Sequence, residues 1–401
     1  MSYDLRTSEI IYQEPTRSKG QIRRGWRHTT ARLLGGILLV AACSAPTPST
    51  TATPAPSASA KPSPSPSASP TATPIPPSPT PTATPTPPSR ALRDLEPNEA
   101  LHLLSEFRIP ISSLDMRMVF SPVRPILYHT PVRREIQGYD FEAERVVFQI
   151  QGFQEVPQAL VVSAEGDRII AADGPALGIW DLATSERIGS LQMPGIFVPL
   201  NAGFVGEGAF YADDESGNIA LWETAHWAEV ARFSYQGRGD GAFVLPGAEA
   251  VVMQIRDRRE LRVVDWTGQL VRTIPIDALP WRLHGISPQG DRAVLHVDTT
   301  MGSEGVLITD LAEDGTVIRF PLLNIRAIAV SADWRTLAVA DAANVLRLVD
   351  PSTGEQYYTQ PLEAFQIQGL AISPDGAYLG VYLRKEGESG GYIQIWGRQP
   401  P

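Results

Sequence analysis

From about residue 98 onward, hydrophobic and polar positions follow a coarse rhythm. In "ALVVSAEGDRIIAADGPALGIWDLATSERIGSLQMPG", residues 159 to 195, short apolar runs rich in Val, Ile and Leu are parted by clusters of Ser, Asp, Glu and Gly. Apolar runs of this length, bounded by turn residues, predict strands and not helices. The stretch therefore predicts four strands in the order strand, Ser-type turn, strand, loop, strand ending in an acidic residue, turn, strand.

The same unit recurs, as "IQGYDF", "LGIWDL", "IALWET", "LRVVDW", "VLITDL", "VLRLVD" and "YIQIWG". Six of the seven carry an acidic residue at the strand end: Asp140, Asp181, Glu223, Asp265, Asp310 and Asp350. They are separated by 41, 42, 42, 45 and 40 residues, and Gly397 follows after 47. A second landmark keeps step with the first, in turns beginning at Ser121, Ser163, Ser287, Ser331 and Ser373, with blurred copies near 205 and 245. Ser and Asp bond to nearby backbone while Pro and Gly supply the turn dihedrals, so each marks a hairpin between the first and second strands. A period of 40 to 45 residues is that of one four-stranded propeller blade.

These units resemble WD-repeat β-propellers, with Trp180-Asp181 and Trp222-Glu223 nearest to the signature dipeptide. The resemblance covers nearly all of residues 98–399 but lacks the Gly-His dipeptide near the start of each repeat, so a degenerate, WD-repeat-like propeller is expected. The last unit stops after its third strand, whereas "ALHLLSEFRIP" at 100 to 110 reads like an outer strand standing before the first unit. If that strand completes the final blade, an all-β, seven-bladed ring closes without a large free edge. Six or eight blades are the alternatives. Trp180, Trp222 and Trp396 share one repeat position and are expected to pack between blades.

The N-terminal quarter has a different composition. Lys19, Arg23, Arg24, Arg27 and Arg32 precede a ten-residue apolar run, Leu33 to Ala42. A helix needs roughly 20 apolar residues to span a bilayer, so this run is too short to span stably. A basic flank, a short apolar stretch and small residues at its end describe a secretory signal over residues 1–42. Val40, Ala41, Ala42 and Cys43 resemble the lipobox of bacterial lipoproteins. The resemblance implies cleavage between Ala42 and Cys43, lipid attachment at Cys43, and a protein tied to the membrane on its extracytoplasmic face. Arg23-Arg24-Gly25-Trp26 loosely resembles a twin-arginine export signal without the usual flanking residues.

Residues 43–93 are expected to form a disordered linker, since 44–89 hold little besides Pro, Ser, Thr and Ala, with Lys61 as the one charge. Such a composition cannot bury enough apolar surface to offset the entropy of ordering. At about 3.1 Å per residue in polyproline II its reach is at most ~140 Å. Its Ser and Thr offer sites for O-glycans.

Charge narrows the partners. The whole chain carries −10, and without residues 1–42 there remain 27 basic and 41 acidic residues, a formal charge of −14. So acidic a domain matches phosphate backbones poorly, and nucleic-acid binding is not expected. A single cysteine excludes an intramolecular disulfide framework and Cys-rich zinc sites. "GESGG" at 387 to 391 fits a nucleophile elbow literally, but no His follows Ser389, and a turn is expected. "DDESGN" at 213 to 218 lacks the spacing of a calcium loop and reads as a solvated hairpin. His284, standing where other units have Met118, Leu160, Ile328 and Leu370, is expected to be a satisfied core histidine in preference to a channel ligand. No His pair has metal spacing, and neither metal nor cofactor is expected.

The candidate partner-binding face collects Trp281, Arg282 and Arg326 near inner-strand starts, with Arg133, Arg134, Arg256, Arg258 and Arg259 in hairpins between second and third strands. Arg and Trp combine contact area with directed polar contacts, as interface anchors do. Glu135 and Glu260 are expected to neutralise part of that charge. The expectation is a monomeric protein- or ligand-binding scaffold at the cell envelope, with a protein or glycan partner outside the cytoplasm. The alternatives are a propeller enzyme, either a lactonase-like hydrolase or a quinone-dependent dehydrogenase, and an envelope ligand sensor.

Overall fold

The computed structural model describes residues 91–95, 99–110, 116–131, 134–153, 155–193, 199–205, 208–214, 216–234, 241–247, 250–255, 258–298, 304–312, 315–321, 324–362 and 365–398. Ala42, Cys43, the signal and almost all of the linker lie outside them, as do Arg133 and Arg256.

Twenty-eight strands among the described residues form seven antiparallel four-stranded sheets. Strand β1 (His102–Ile109) comes first in the chain but belongs to the last sheet. Blade 1 is β2 (Met118–Phe120), β3 (Ile126–His129), β4 (Glu135–Asp140) and β5 (Arg145–Gln151). Blade 2 is β6 (Leu160–Val162), β7 (Arg168–Asp173), β8 (Ala176–Asp181) and β9 (Arg187–Gln192). Blade 3 is β10 (Pro199–Val205), β11 (Ala209–Asp214), β12 (Asn218–Glu223) and β13 (Glu229–Ser234). Blade 4 is β14 (Ala242–Val244), β15 (Ala250–Gln254), β16 (Glu260–Asp265) and β17 (Leu270–Pro275). Blade 5 is β18 (Leu279–Ile286), β19 (Arg292–Asp298), β20 (Glu304–Asp310) and β21 (Gly315–Pro321). Blade 6 is β22 (Ile325–Val330), β23 (Leu337–Asp341), β24 (Val345–Val349) and β25 (Gln356–Pro361). Blade 7 is β26 (Gln366–Ile372), β27 (Tyr378–Arg384) and β28 (Gly391–Gly397), with β1 as its outer strand.

The first strands touch in cyclic order, β2 to β6, β10, β14, β18, β22, β26 and back to β2. The protein is a seven-bladed β-propeller, closed by pairing of β1 with β28 from His102 opposite Gly397 to Ile109 opposite Gly391. Seven apolar clusters fill the spaces between neighbouring blades. Second strands are covered on both faces, so β15 and β23 are buried throughout, whereas outer strands such as β5 and β9 alternate toward solvent. Trp180 packs between blades 1 and 2, Trp222 between 2 and 3, and Trp396 between 6 and 7.

Both sequence landmarks have a visible physical task. Ser163 and Ser287 are buried, donate to Asp167 and Asp291 at 2.6 Å, and accept from the backbone N–H groups that start the second strand. Ser331 and Ser373 do the same with Asp333 and Asp375 at 2.6 and 2.5 Å. At third-strand ends, Asp140, Asp181, Asp265, Asp310 and Asp350 accept backbone N–H bonds from the following turn. Glu223, one methylene longer, instead meets His226 Nδ1 at 3.0 Å.

The segment before β1 is pinned to the ring. Leu92, in a short 3-10 turn (Leu92–Asp94), is fully buried and its N–H donates to Gly376 O at 2.8 Å. Arg93 donates to Asp350 at 2.9 and 3.1 Å, Arg335 to Asp94 at 3.2 Å. Beyond β28, the buried Arg398 grips Glu99 with two nitrogens and the Asp94 carbonyl with a third.

Candidate functional site

The topology fixes which loops share an end of the channel. All first strands leave from one end, and second strands return to it, so first-strand starts and the loops between second and third strands lie together there. Arg117 precedes β2, Arg282 lies on β18, Arg326 is the second residue of β22 and Gln368 the third of β26. Together with His284 they line a cavity of about 290 Å³ bordered by blades 5, 6, 7 and 1. Arg282 and His284 are two residues apart and both reach the cavity. Leu283 between them is buried against blade 4, which is strand alternation at work.

His284 is therefore a channel residue, not the satisfied core histidine expected from sequence. Its Nε2 is buried and has no hydrogen-bond partner among the described residues. Burial above all, then the charges of Arg282, His296 and Arg117, holds its pKa well below the usual histidine range, so the ring is neutral. The His296 ring lies 6.4 Å from it and also meets Trp281 at 5.5 Å. Trp281 itself is 52% exposed.

Arg282 is tied to blade 3. Its Nη2 donates to Asn201 Oδ1 at 3.4 Å, while Asn201 N and Nδ2 donate to Asp213 at 3.0 and 3.4 Å. Ala242 N donates to the same carboxylate at 2.6 Å. Asp213 is buried, and desolvation outweighs those bonds and the attraction of Arg282, pushing its pKa up to about 7. Asp213 thus turns inward, whereas its neighbour Asp214 caps the hairpin by accepting from Ser216 N and Asn218 N.

Of the expected face, Arg282 and Arg326 come together at the channel and Trp281 stands beside Arg282. Arg134, Arg258 and Arg259 are exposed in the hairpins of blades 1 and 4 and do not line the cavity. Arg258 and Arg262 share Glu260 at 3.5 and 2.8 Å. Glu135 is buried and takes amide donors from Gln137, Gln149 and Gln151 at 3.0, 2.8 and 3.2 Å. Arg117, Gln368 and the Asn201–Asp213 pair were missed by sequence reasoning. Arg282, Arg326 and Gln368 occupy one repeat position, two residues before that of His284, and aligning the units at that position was the available signal. Ser389 lies in the turn joining β27 and β28, with no helix following it. Among the described residues no group of three His, Cys, Asp or Glu side chains converges as a metal cage would require.

Fold and site together define a seven-bladed β-propeller whose channel is lined by arginines at one end. The protein is similar in structure to the β-propeller domain of Cps50 (Swd1) from Myceliophteria thermophila, with TM-score 0.61, 14% sequence identity, 75% of this chain covered and 100% of that one. At that identity the likeness carries the fold. No protein-family profile matches the chain, and no curated protein matches it.

Proposed function

We propose that this chain is a lipid-anchored β-propeller that works outside the cytoplasm as a binding scaffold, meeting a protein or glycan partner with the end of the ring that carries Trp281. The observation behind this reading is the half-exposed indole of Trp281 beside Arg282, at the end where Arg117, Arg282 and Arg326 converge. A large apolar ring next to guanidinium groups suits an interface anchor. Closed blades hold such loops rigidly, so little ordering entropy is lost on binding. The anchor rests on Val40 to Cys43, and two or three acyl chains give stable attachment where one is marginal.

Crosslinking on intact cells tests both halves at once. Wild type should fractionate with membranes and capture a defined partner; Cys43→Ala should lose the membrane fraction, and Trp281→Ala should lose the partner while staying on the membrane. Unchanged membrane association of Cys43→Ala sinks the anchor, and equal capture by Trp281→Ala sinks the assigned face.

A further inference from the structure

The chain is acidic overall, yet three guanidinium groups from three different blades surround one cavity with no carboxylate among its described lining residues. Like charges gathered in a low-dielectric cleft raise the local potential and draw in counter-ions. One acid coupled to this site, Asp213, reaches Arg282 through Asn201 and is buried in blade 3. Arg326 has no ion pair or hydrogen bond to any described residue and is exposed to the cavity. A second observation is the buried Nε2 of His284, which has no partner among the described residues and offers a place for a polar ligand atom. A neutral imidazole can donate from or accept at that nitrogen.

We propose that this end of the channel binds a small oxyanion bearing two negative charges, a dicarboxylate or a phosphomonoester, clamped by Arg117, Arg282 and Arg326 and contacted by His284. Planar guanidinium forks match carboxylate and phosphate oxygens two at a time, giving direction as well as charge. A cavity of about 290 Å³ admits a metabolite-sized anion, not a polymer chain. The Gln368 side chain adds an uncharged polar contact. This inference deepens the binding-scaffold reading by assigning a ligand class to the same end of the ring.

Purified full-length protein in detergent, titrated at constant ionic strength with inorganic phosphate, succinate or citrate against a sodium chloride control, provides the test. At least one oxyanion should bind saturably by calorimetry and raise the melting temperature with its concentration. Arg326→Gln and Arg117→Gln should each weaken that binding tenfold or more, while Arg145→Gln, exposed on the outer strand of blade 1, should leave it unchanged. Wild-type melting curves of the unliganded variants check that they fold. If no probe binds beyond the chloride control, or if the channel variants bind as tightly as wild type, the inference is wrong. Crosslinking fails separately: anion binding without a captured partner removes the scaffold reading alone, and a captured partner without anion binding removes this one alone.

Discussion

Asp213 and His129 are both buried titratable groups, and burial pushes them in opposite directions. The carboxyl of Asp213 is raised from 3.8 to about 7, so the folded protein holds a proton there that the unfolded chain has released. Stability from this group is complete below about pH 4 and is lost as pH rises through 7, because between those values the folded state binds more protons than the unfolded chain. His129, enclosed on β3 beside Phe107, is lowered from 6.5 to about 3 by desolvation. Its contribution is present above 6.5 and lost as pH falls toward 3. Because the two overlap, the informative quantity is a difference. Asp213→Asn, which keeps the shape and stays neutral, should grow more stable relative to wild type as pH rises from 4 to 8, measured by urea unfolding at each pH. A constant difference across that range would mean that Asp213 does not titrate with folding.

Strands in this ring are shaped by what sits over their glycines. A Cβ at Gly178 would lie 2.1 Å from the Trp180 ring, one at Gly138 2.8 Å from Tyr128, and one at Gly203 2.8 Å from Tyr211. In each case an aromatic ring folds down over bare backbone, filling the gap between blades. Gly178→Ala should therefore force Trp180 out of its place between blades 1 and 2 and cost about 1–3 kcal/mol. Gly208→Ala, with nothing within 4 Å of the new carbon, should change stability by less than about 0.5 kcal/mol. Thermal melts of the two variants side by side provide the comparison. At this scale the sequence was informative, because Ser turns and acidic strand ends act on backbone within a few residues of themselves. The period of about 42 residues repeats those local devices, which is why blade count and closure were readable. Glycine–aromatic stacking was less so, since which glycine receives a ring depends on strand register and on the packing of the next blade.

The ring closes by the strand pairing that the repeat predicts, but the side-chain grips that reinforce the closure are announced by no local pattern. Arg398 and Glu99 stand 299 residues apart in sequence, and Arg93 and Asp350 are 257 apart. Nothing in the flanking residues distinguishes these arginines from solvated ones. The channel site was only half legible for the same reason: Arg282 and Arg326 come from repeat positions, but Arg117 joins them only when blade 1 meets blade 7. Removing one partner of a buried ion pair costs roughly 3–5 kcal/mol, and less where the remaining charge keeps some solvent. Arg398→Ala should lower the unfolding midpoint accordingly, since the Glu99 side chain is still 25% exposed, and a unchanged denaturant midpoint would show that β1 alone seals the ring. The position of that seal also has a mechanical side. Any pull on the chain from before Ala91 arrives at the strand whose removal would open the propeller. It first meets Leu92 in its socket and the Arg93 and Arg398 grips, which spread the load over blades 6 and 7 before β1 feels it. The short turn at Leu92–Asp94 thus serves as a strain relief, like the collar where a cable enters its plug.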